Sequence, residues 1–357
     1  MSSQLSLKSD SRKCFLDIFQ KRPSRVPIWL MRQAGRYLPE YRDLRTQEPD
    51  FVKFCMTPAL AVEATLQPLR RFSFDAAILF SDILTILKAQ GAELTFVESH
   101  GPQLSCSSVA RFIEAPVSNA LNELSPVFDV IRQLRGKLSE DVALIGFAGA
   151  PWTLMCYLLN GKSSSTFELA KTSILKDFQL SLKLCDTLTE LTIHYLLEQI
   201  KSGAEAIQIF DSWGGVLPYS WFDSFLIKPW TRIVSALKSA YPDIPVIGFV
   251  KGASALLPSF VESVAVDGIS IDSSTPIPLA LSLPERLVIQ GGMDPAYIIQ
   301  GGDSMIDEAR KYLDALKDRS YIFNLGHGVP MSTSPQNVLD LVQFVRSYNN
   351  PYFGGDL

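Results

Sequence analysis

Histidine is the scarcest of the chemistry-bearing residues here, with three in 357 residues. His100 lies in a Ser/Gly loop and His194 in a long helical pattern. Only His327, between Gly326 and Gly328, has open backbone on both sides where a ligand can approach. Cysteine is sparse too. The five thiols (Cys14, Cys55, Cys106, Cys156, Cys185) are odd in number and scattered, with no C-x-x-C pair. That excludes a disulfide framework and a zinc site of the usual spacing, and it suits a reducing, cytoplasmic setting. No His, Cys and carboxylate group has metal-ligand spacing, so neither a metal nor a cofactor is expected. Positive charge is not in excess: the net charge is −4. Such a chain has no bulk attraction for nucleic acid or an anionic membrane surface, and any anion it binds must meet a local cluster of arginines.

Long apolar runs are also missing. The one stretch of eighteen residues without a charge, 142–159, contains the break Gly149-Ala150-Pro151 and reads as a buried strand, a turn and a helix start rather than a membrane span. Residues 1–13 are polar, lack the apolar core of a secretion signal, and read as a flexible tail. Gly161-Lys162-Ser163 imitates the end of a P-loop, but the required first glycine falls on Cys156. No G-x-G-x-x-G follows a strand, and no G-x-S-x-G nucleophile is present.

What is present is a globular composition, 47% hydrophobic and 20% charged, with no internal repeat and no shift that marks a second domain. Short runs rich in Ile, Val and Phe stand at 26–31, 76–80, 142–147, 206–210, 246–250, 268–271, 287–289 and 321–325. Amphipathic helical patterns separate them at 57–72, 118–138, 166–202, 218–240, 253–264, 295–317 and 335–348. Strand and helix in alternation mean a parallel sheet with helices outside. Eight such strands predict an α/β fold of one domain, 1–357: a single (β/α)8 TIM-type barrel. Polar or glycine-bearing residues follow nearly every run: Arg32 to Arg36, Ser81-Asp82, Gly149-Ala150-Pro151, Asp211-Ser212-Trp213, Lys251-Gly252, Asp272-Ser273, Met293-Asp294 and Gly326-His327-Gly328. This places the site at the C-terminal strand ends, where barrel enzymes build theirs.

The densest candidate is the loop Arg32-Gln33-Ala34-Gly35-Arg36. Its two arginines flank a glycine, so guanidinium forks and open backbone N–H groups can converge on an anion. The competing reading is a surface loop paired with Glu40 or Asp43. Asp82 is either a cap for the next turn or a carboxylate poised to hold a cation. Thr153 reads as a helix cap. Tyr157 is either a core tyrosine or a hydroxyl aimed into the mouth. Ser212 offers a hydroxyl at a strand end.

Five strings, Arg32-to-Tyr41, Phe80-to-Leu84, Gly146-to-Leu154, Phe210-to-Gly215 and Asn324-to-Gly328, stand in an order and spacing that resemble the uroporphyrinogen decarboxylase family, over nearly the whole chain. The resemblance implies a (β/α)8 barrel, a homodimer, and decarboxylation of uroporphyrinogen III to coproporphyrinogen III without cofactor or metal. It implies that Arg32, Gln33, Ala34, Gly35 and Arg36 bind substrate carboxylates and that Asp82, the catalytic residue, meets the pyrrole N–H groups. It further implies that Tyr157, Ser212 and His327 contact acetate or propionate arms, with Arg45 a further anion contact. The chain departs from the family's pattern at Leu87-Lys88-Ala89, at Ile271-Asp272-Ser273 and at Gly291-Gly292-Met293. Two alternatives remain: a zinc-dependent methyltransferase of the same barrel superfamily and a non-catalytic tetrapyrrole-binding protein. The first lacks its His-x-Cys ligands, because that place reads Gly248-Phe249-Val250-Lys251.

Overall fold

The computed structural model describes residues 13–20, 23–97 and 100–348. Its strands are β1 (Ala76–Ile78), β2 (Glu93–Val97), β3 (Gly101–Ser105), β4 (Ala143–Gly149), β5 (Ala206–Asp211), β6 (Val246–Val250), β7 (Gly268–Ile271), β8 (Val288–Gly291) and β9 (Tyr321–Ile322). Seven of them form one curled parallel sheet in the order β1-β4-β5-β6-β7-β8-β9. β2 and β3 form a separate antiparallel pair, which the sequence reading did not anticipate. The 142–159 run resolves into β4 and the helix Pro151–Asn160, as its Gly-Ala-Pro break requires. No helix among the described residues is long and apolar enough to cross a membrane.

The first expected strand, 26–31, is not a regular strand. It makes a single parallel bridge, Ile28 to Phe323. The cause is local. Pro27 has no N–H, and side chains take the ladder donors of its neighbours. Ile28 N donates to Asp75 Oδ2 (2.8 Å) and Met31 N to Asn324 Oδ1 (3.0 Å). The segment still touches both ends of the sheet. Asp75 N, just before β1, donates to Ile28 O (2.9 Å), and Phe323 N, just after β9, donates to Pro27 O (2.8 Å).

Strand side chains alternate between two apolar layers, as a two-residue period requires. Leu144, Ile207, Val246, Val250 and Ile289 pack toward the helices. Ile145, Ala206, Ile247, Phe249, Val288 and Ile322 pack on the other face with Trp29, Met31, Phe15 and Ile18. That inner face also carries amides. Trp29 Nε1 donates to Gln290 Oε1 (2.9 Å), and Gln290 Nε2 donates to Gln208 Oε1 (3.1 Å) and Ser270 Oγ (3.1 Å).

Several helical patterns are broken where a local residue forces it. The 166–202 pattern divides at Asp177, whose carboxylate caps Leu180 N (2.9 Å), into Glu168–Lys176 and Phe178–Lys201. The 295–317 pattern divides at Gly301 (φ +69°) into Pro295–Gln300 and Gly302–Ala315. The 118–138 pattern becomes Val117–Glu123 and Ser125–Arg135, the second opening with a proline in its first turn. Of the expected tail, residues 1–12 lie outside the described residues. Lys13 is anchored, with Nζ 2.7 Å from Glu205 and 3.1 Å from Val142 O.

Candidate active site

The loop after segment 26–31 turns sharply. Arg32 takes a left-handed backbone (φ +59°), a conformation costing roughly 1–3 kcal/mol in a residue with a Cβ. Gln33 holds the turn. Its buried side chain donates from Nε2 to Ala76 O (3.2 Å), its Oε1 accepts from Leu30 N (3.4 Å), and its carbonyl accepts from the Tyr37 hydroxyl (2.6 Å). Gln33 therefore has no side-chain hydrogen-bonding group turned to the mouth. The backbone N–H groups of Ala34, Gly35 and Arg36 donate to no acceptor among the described residues, which leaves them open to an anion. Both arginine side chains are exposed and join no ion pair among the described residues. Glu40, which the surface-loop reading pairs with them, bonds Arg71 instead (3.1 Å). Arg45 is occupied otherwise. Its guanidinium donates to Glu48 O and to Pro49 O (3.1 Å) and lies over the Phe54 ring at 4.8 Å.

Asp82 follows β1. Its Oδ1 accepts from Leu84 N (2.8 Å), so the capping role is real but occupies one oxygen. Oδ2 accepts no hydrogen bond from the described residues. Burial raises the Asp82 pKa, opposed by the Leu84 N–H and by the Arg32 charge.

Thr153 is not a helix cap. It is buried behind the mouth, donates from Oγ1 to Asp211 Oδ1 (2.6 Å) and accepts from Trp213 N (3.1 Å). Trp230 Nε1 donates to the other Asp211 oxygen (3.3 Å). Full burial pushes the Asp211 pKa up to about 6 against these hydrogen bonds. Both Asp211 oxygens are thus occupied, and the residue holds the Ser212-Trp213 turn through Thr153. Ser212 is half-buried with its hydroxyl in no hydrogen bond among the described residues. Tyr157 is half-buried, its ring 6.1 Å from Trp213 and 5.9 Å from Phe167, and burial raises its pKa.

His327 stands beyond β9, its ring 6.3 Å from Phe249. Burial, then the charges of Arg32 and Lys251, depress its pKa to about 4, so the imidazole is neutral at pH 7. Gly328 leaves room for the Arg32 side chain: a Cβ on it would lie 2.4 Å from Arg32 Cδ. Lys251 Nζ sits over the Trp213 ring at 5.8 Å.

These contacts close a circuit. Tyr157 feels the charges of Asp82 and Arg32, Asp82 feels Arg32, and Arg32 and Lys251 both act on His327. Lys251 lies on Trp213, and Trp213 meets Tyr157. Six residues that follow different strands, Tyr157 on the helix after β4, thus stand in one chain of neighbours at the C-terminal end of the sheet. Among the described residues, no three His, Cys, Asp or Glu side chains gather as a metal site.

A family model described as Uroporphyrinogen decarboxylase (URO-D) matches residues 11–348. The chain belongs to the uroporphyrinogen decarboxylase family. The uroporphyrinogen decarboxylase of Rhodospirillum rubrum is 45% identical over 346 residues, covering 96% of this chain and 99% of that protein. The one of Rickettsia bellii is 41% identical over 325 residues, covering 91% and 96%. A solved methyltransferase from Methanosarcina mazei superposes with a TM-score of 0.77 over 94% of this chain and 98% of its own, at 17% identity, a likeness of fold alone.

The departures from the family's pattern fall on the supporting frame. Gly292 (φ +107°) leaves no room for a Cβ, which would lie 2.4 Å from Tyr312 Cε1, and Tyr312 donates its hydroxyl to Gly292 O (2.8 Å). Ser273 is exposed beside Asp272, which ties its own loop to that of Gly252: it accepts from Gly252 N, from Ser274 N (3.0 Å) and from Thr275 Oγ1 (3.0 Å). Leu87 is buried and Lys88 exposed. Sequence reasoning assigned no role to Lys251, Trp213 or Asp211, although all three stand at strand ends, the one signal available for them.

Proposed function

We infer that this mouth removes the acetate carboxyls of uroporphyrinogen III, giving coproporphyrinogen III in tetrapyrrole biosynthesis. The observation that carries the reading is the mouth's charge pattern. Among the described residues Arg32, Arg36 and Lys251 join no ion pair, and they accompany a carboxylate, Asp82, one of whose oxygens accepts no hydrogen bond. A many-armed polyanion whose centre bears N–H donors and becomes cationic during reaction fits that pattern. Arginine forks and the free amides of 34–36 take the arms, and Oδ2 of Asp82 takes the ring N–H groups. Tyr157, Ser212 and the neutral His327 offer hydrogen bonds to further arms without adding charge.

The chemistry follows from the substrate. Loss of carbon dioxide from an acetate leaves an electron pair on its methylene carbon, which needs a sink. Protonating a pyrrole carbon makes the ring an iminium-like cation that accepts the pair. The methylene carbon then takes one proton, and the ring carbon returns the one it gained. Each arm consumes one net proton and releases one carbon dioxide. A preorganised carboxylate beside the ring stabilises the cation more than the neutral ring, which is where rate enhancement arises. Gln33 serves the loop's shape, and Ala34 and Gly35 serve through backbone.

The bonds from segment 26–31 to both ends of the sheet support completion of an eight-stranded barrel, and one core running from Val26 to Val345 supports a single domain. Membership in the family supports a homodimer in the cytoplasm, free of nucleic acid and membrane, working without cofactor. The test is anaerobic incubation with uroporphyrinogen and a chelator, with products separated by carboxyl count. Stepwise loss to the tetracarboxylate is expected. Inhibition by the chelator that zinc reverses would overturn the metal-free reading.

A further inference from the structure

Lys251 is a half-buried lysine whose ammonium makes no hydrogen bond and no ion pair among the described residues. Lysine is seldom withdrawn from water without a partner. Its backbone is fixed from three sides. Lys251 N donates to Asp211 O (3.1 Å), Lys251 O accepts from Gly215 N (2.8 Å), and the next amide, Gly252 N, donates to Asp272. The indole of Trp213 supports the side chain at 5.8 Å. A rigid mount for a cation with nothing to bind inside the protein is what a ligand site needs.

Its place in the sheet adds a second argument. From segment 26–31, which carries Arg32, the strands run β1, β4, β5 and β6 in one direction and β9, β8, β7 and β6 in the other. Lys251 follows β6, four steps away by either route. It therefore stands across the mouth from Arg32, and His327 feels both charges. A macrocycle with carboxylates around its whole rim is held level only if cations meet it on more than one side.

We propose that Lys251 is a substrate-binding residue that pairs with a peripheral carboxylate of the tetrapyrrole on the wall opposite Arg32. This rests on the decarboxylase reading above and deepens it. The ammonium over Trp213 forms a charge-assisted pair with the arm and fixes the ring's tilt above Asp82.

The test compares Lys251→Met, Lys251→Arg and, as a remote charge control, Lys183→Met on an exposed helical surface. Two quantities are read: KM for uroporphyrinogen under exclusion of oxygen, and Kd for coproporphyrin from quenching of tryptophan fluorescence. Methionine keeps the apolar cover on Trp213 and removes the charge. Both constants should rise about ten- to a hundredfold in Lys251→Met, the scale of one charge-assisted hydrogen bond, and recover in large part in Lys251→Arg. Lys183→Met should match the parent protein. Unchanged KM and Kd in Lys251→Met would overturn the proposal and leave Lys251 a packing residue. If the parent protein fails to turn over uroporphyrinogen, the functional reading falls, yet the coproporphyrin arm still decides whether Lys251 binds carboxylate. Should Lys251→Met lose its fold by circular dichroism, Lys251→Gln takes its place with the same expectation.

Discussion

Removing the charge of Asp82 while keeping its shape separates the two roles that one side chain holds. Oδ1 accepts from Leu84 N at 2.8 Å, and Oδ2 accepts no hydrogen bond from the described residues. Asp82→Asn keeps the first contact, since an amide oxygen accepts as a carboxylate oxygen does, and asparagine caps about as well as aspartate. It replaces the second oxygen with an N–H donor, aimed at ring N–H groups that are themselves donors. The melting temperature should therefore stay near that of the parent protein. Turnover should fall by about 2.7–4 kcal/mol in the barrier, a hundred- to thousandfold, the scale of one preorganised electrostatic contact. Asp82→Glu behaves otherwise. The charge remains but moves outward by one methylene, and the short turn to Leu84 N is lost, at about 0.5–2 kcal/mol of stability. Glutamate should thus be the less stable variant and the more active one. Burial raises the Asp82 pKa, and the reaction needs the carboxylate ionised, so the acid limb of kcat/KM should lie above the ordinary carboxylate value of about 4. Both variants are assayed without oxygen for carboxyl loss and melted by calorimetry. An Asp82→Asn protein that is stable and fully active would refute the reasoning, because it would reduce Asp82 to a cap.

Asp211 is buried, and its pKa of about 6 lies above the unfolded value, so folding favours its protonated form. Its contribution is present below about pH 4 and lost as pH rises through 6, roughly 3 kcal/mol in all. Denaturant titrations from pH 4 to 7 should show Asp211→Asn gaining on the parent protein by about that amount, and parallel curves would contradict it. His327 should titrate near pH 4 by proton NMR of its ring, with Lys251→Met moving the inflection upward. A histidine titrating at its ordinary value of about 6.5 would show it to be solvated. Gly292→Ala should lower stability by about 1–3 kcal/mol through collision with Tyr312, an effect that Tyr312→Ala relieves when the two are combined; additive losses would show that the ring is not the obstacle.

Much of this was legible because period and punctuation are local. β6 and β7 begin and end where the apolar runs do, and the Gly-Ala-Pro break turned an eighteen-residue run into strand and helix. The irregularity of 26–31 was not legible. It depends on Asp75 and Asn324 taking backbone donors from far along the chain. The β2–β3 pair was overlooked although Leu94 and Phe96 alternate with exposed neighbours, because a five-residue alternation is a weak signal beside longer helical patterns. At the site, the Arg32–Arg36 loop, Asp82 and His327 could be singled out by residue type and flanking glycine. Thr153 could not be placed, since its partner Asp211 lies 58 residues on. Lys251 looked like any strand-end lysine until Trp213 and His327 stood beside it. The missing partner of a cation is a property of space, not of order along the chain.

The central claim is that the mouth both holds a polyanionic tetrapyrrole and decarboxylates it. Its most direct measurement is carbon dioxide released per uroporphyrinogen consumed, taken without oxygen on protein treated with chelator, with bound tetrapyrrole quantified in the same sample. Four equivalents released, with coproporphyrinogen as product, is the predicted result. Tight binding of uroporphyrinogen with no carbon dioxide would contradict the account and leave a tetrapyrrole carrier in its place.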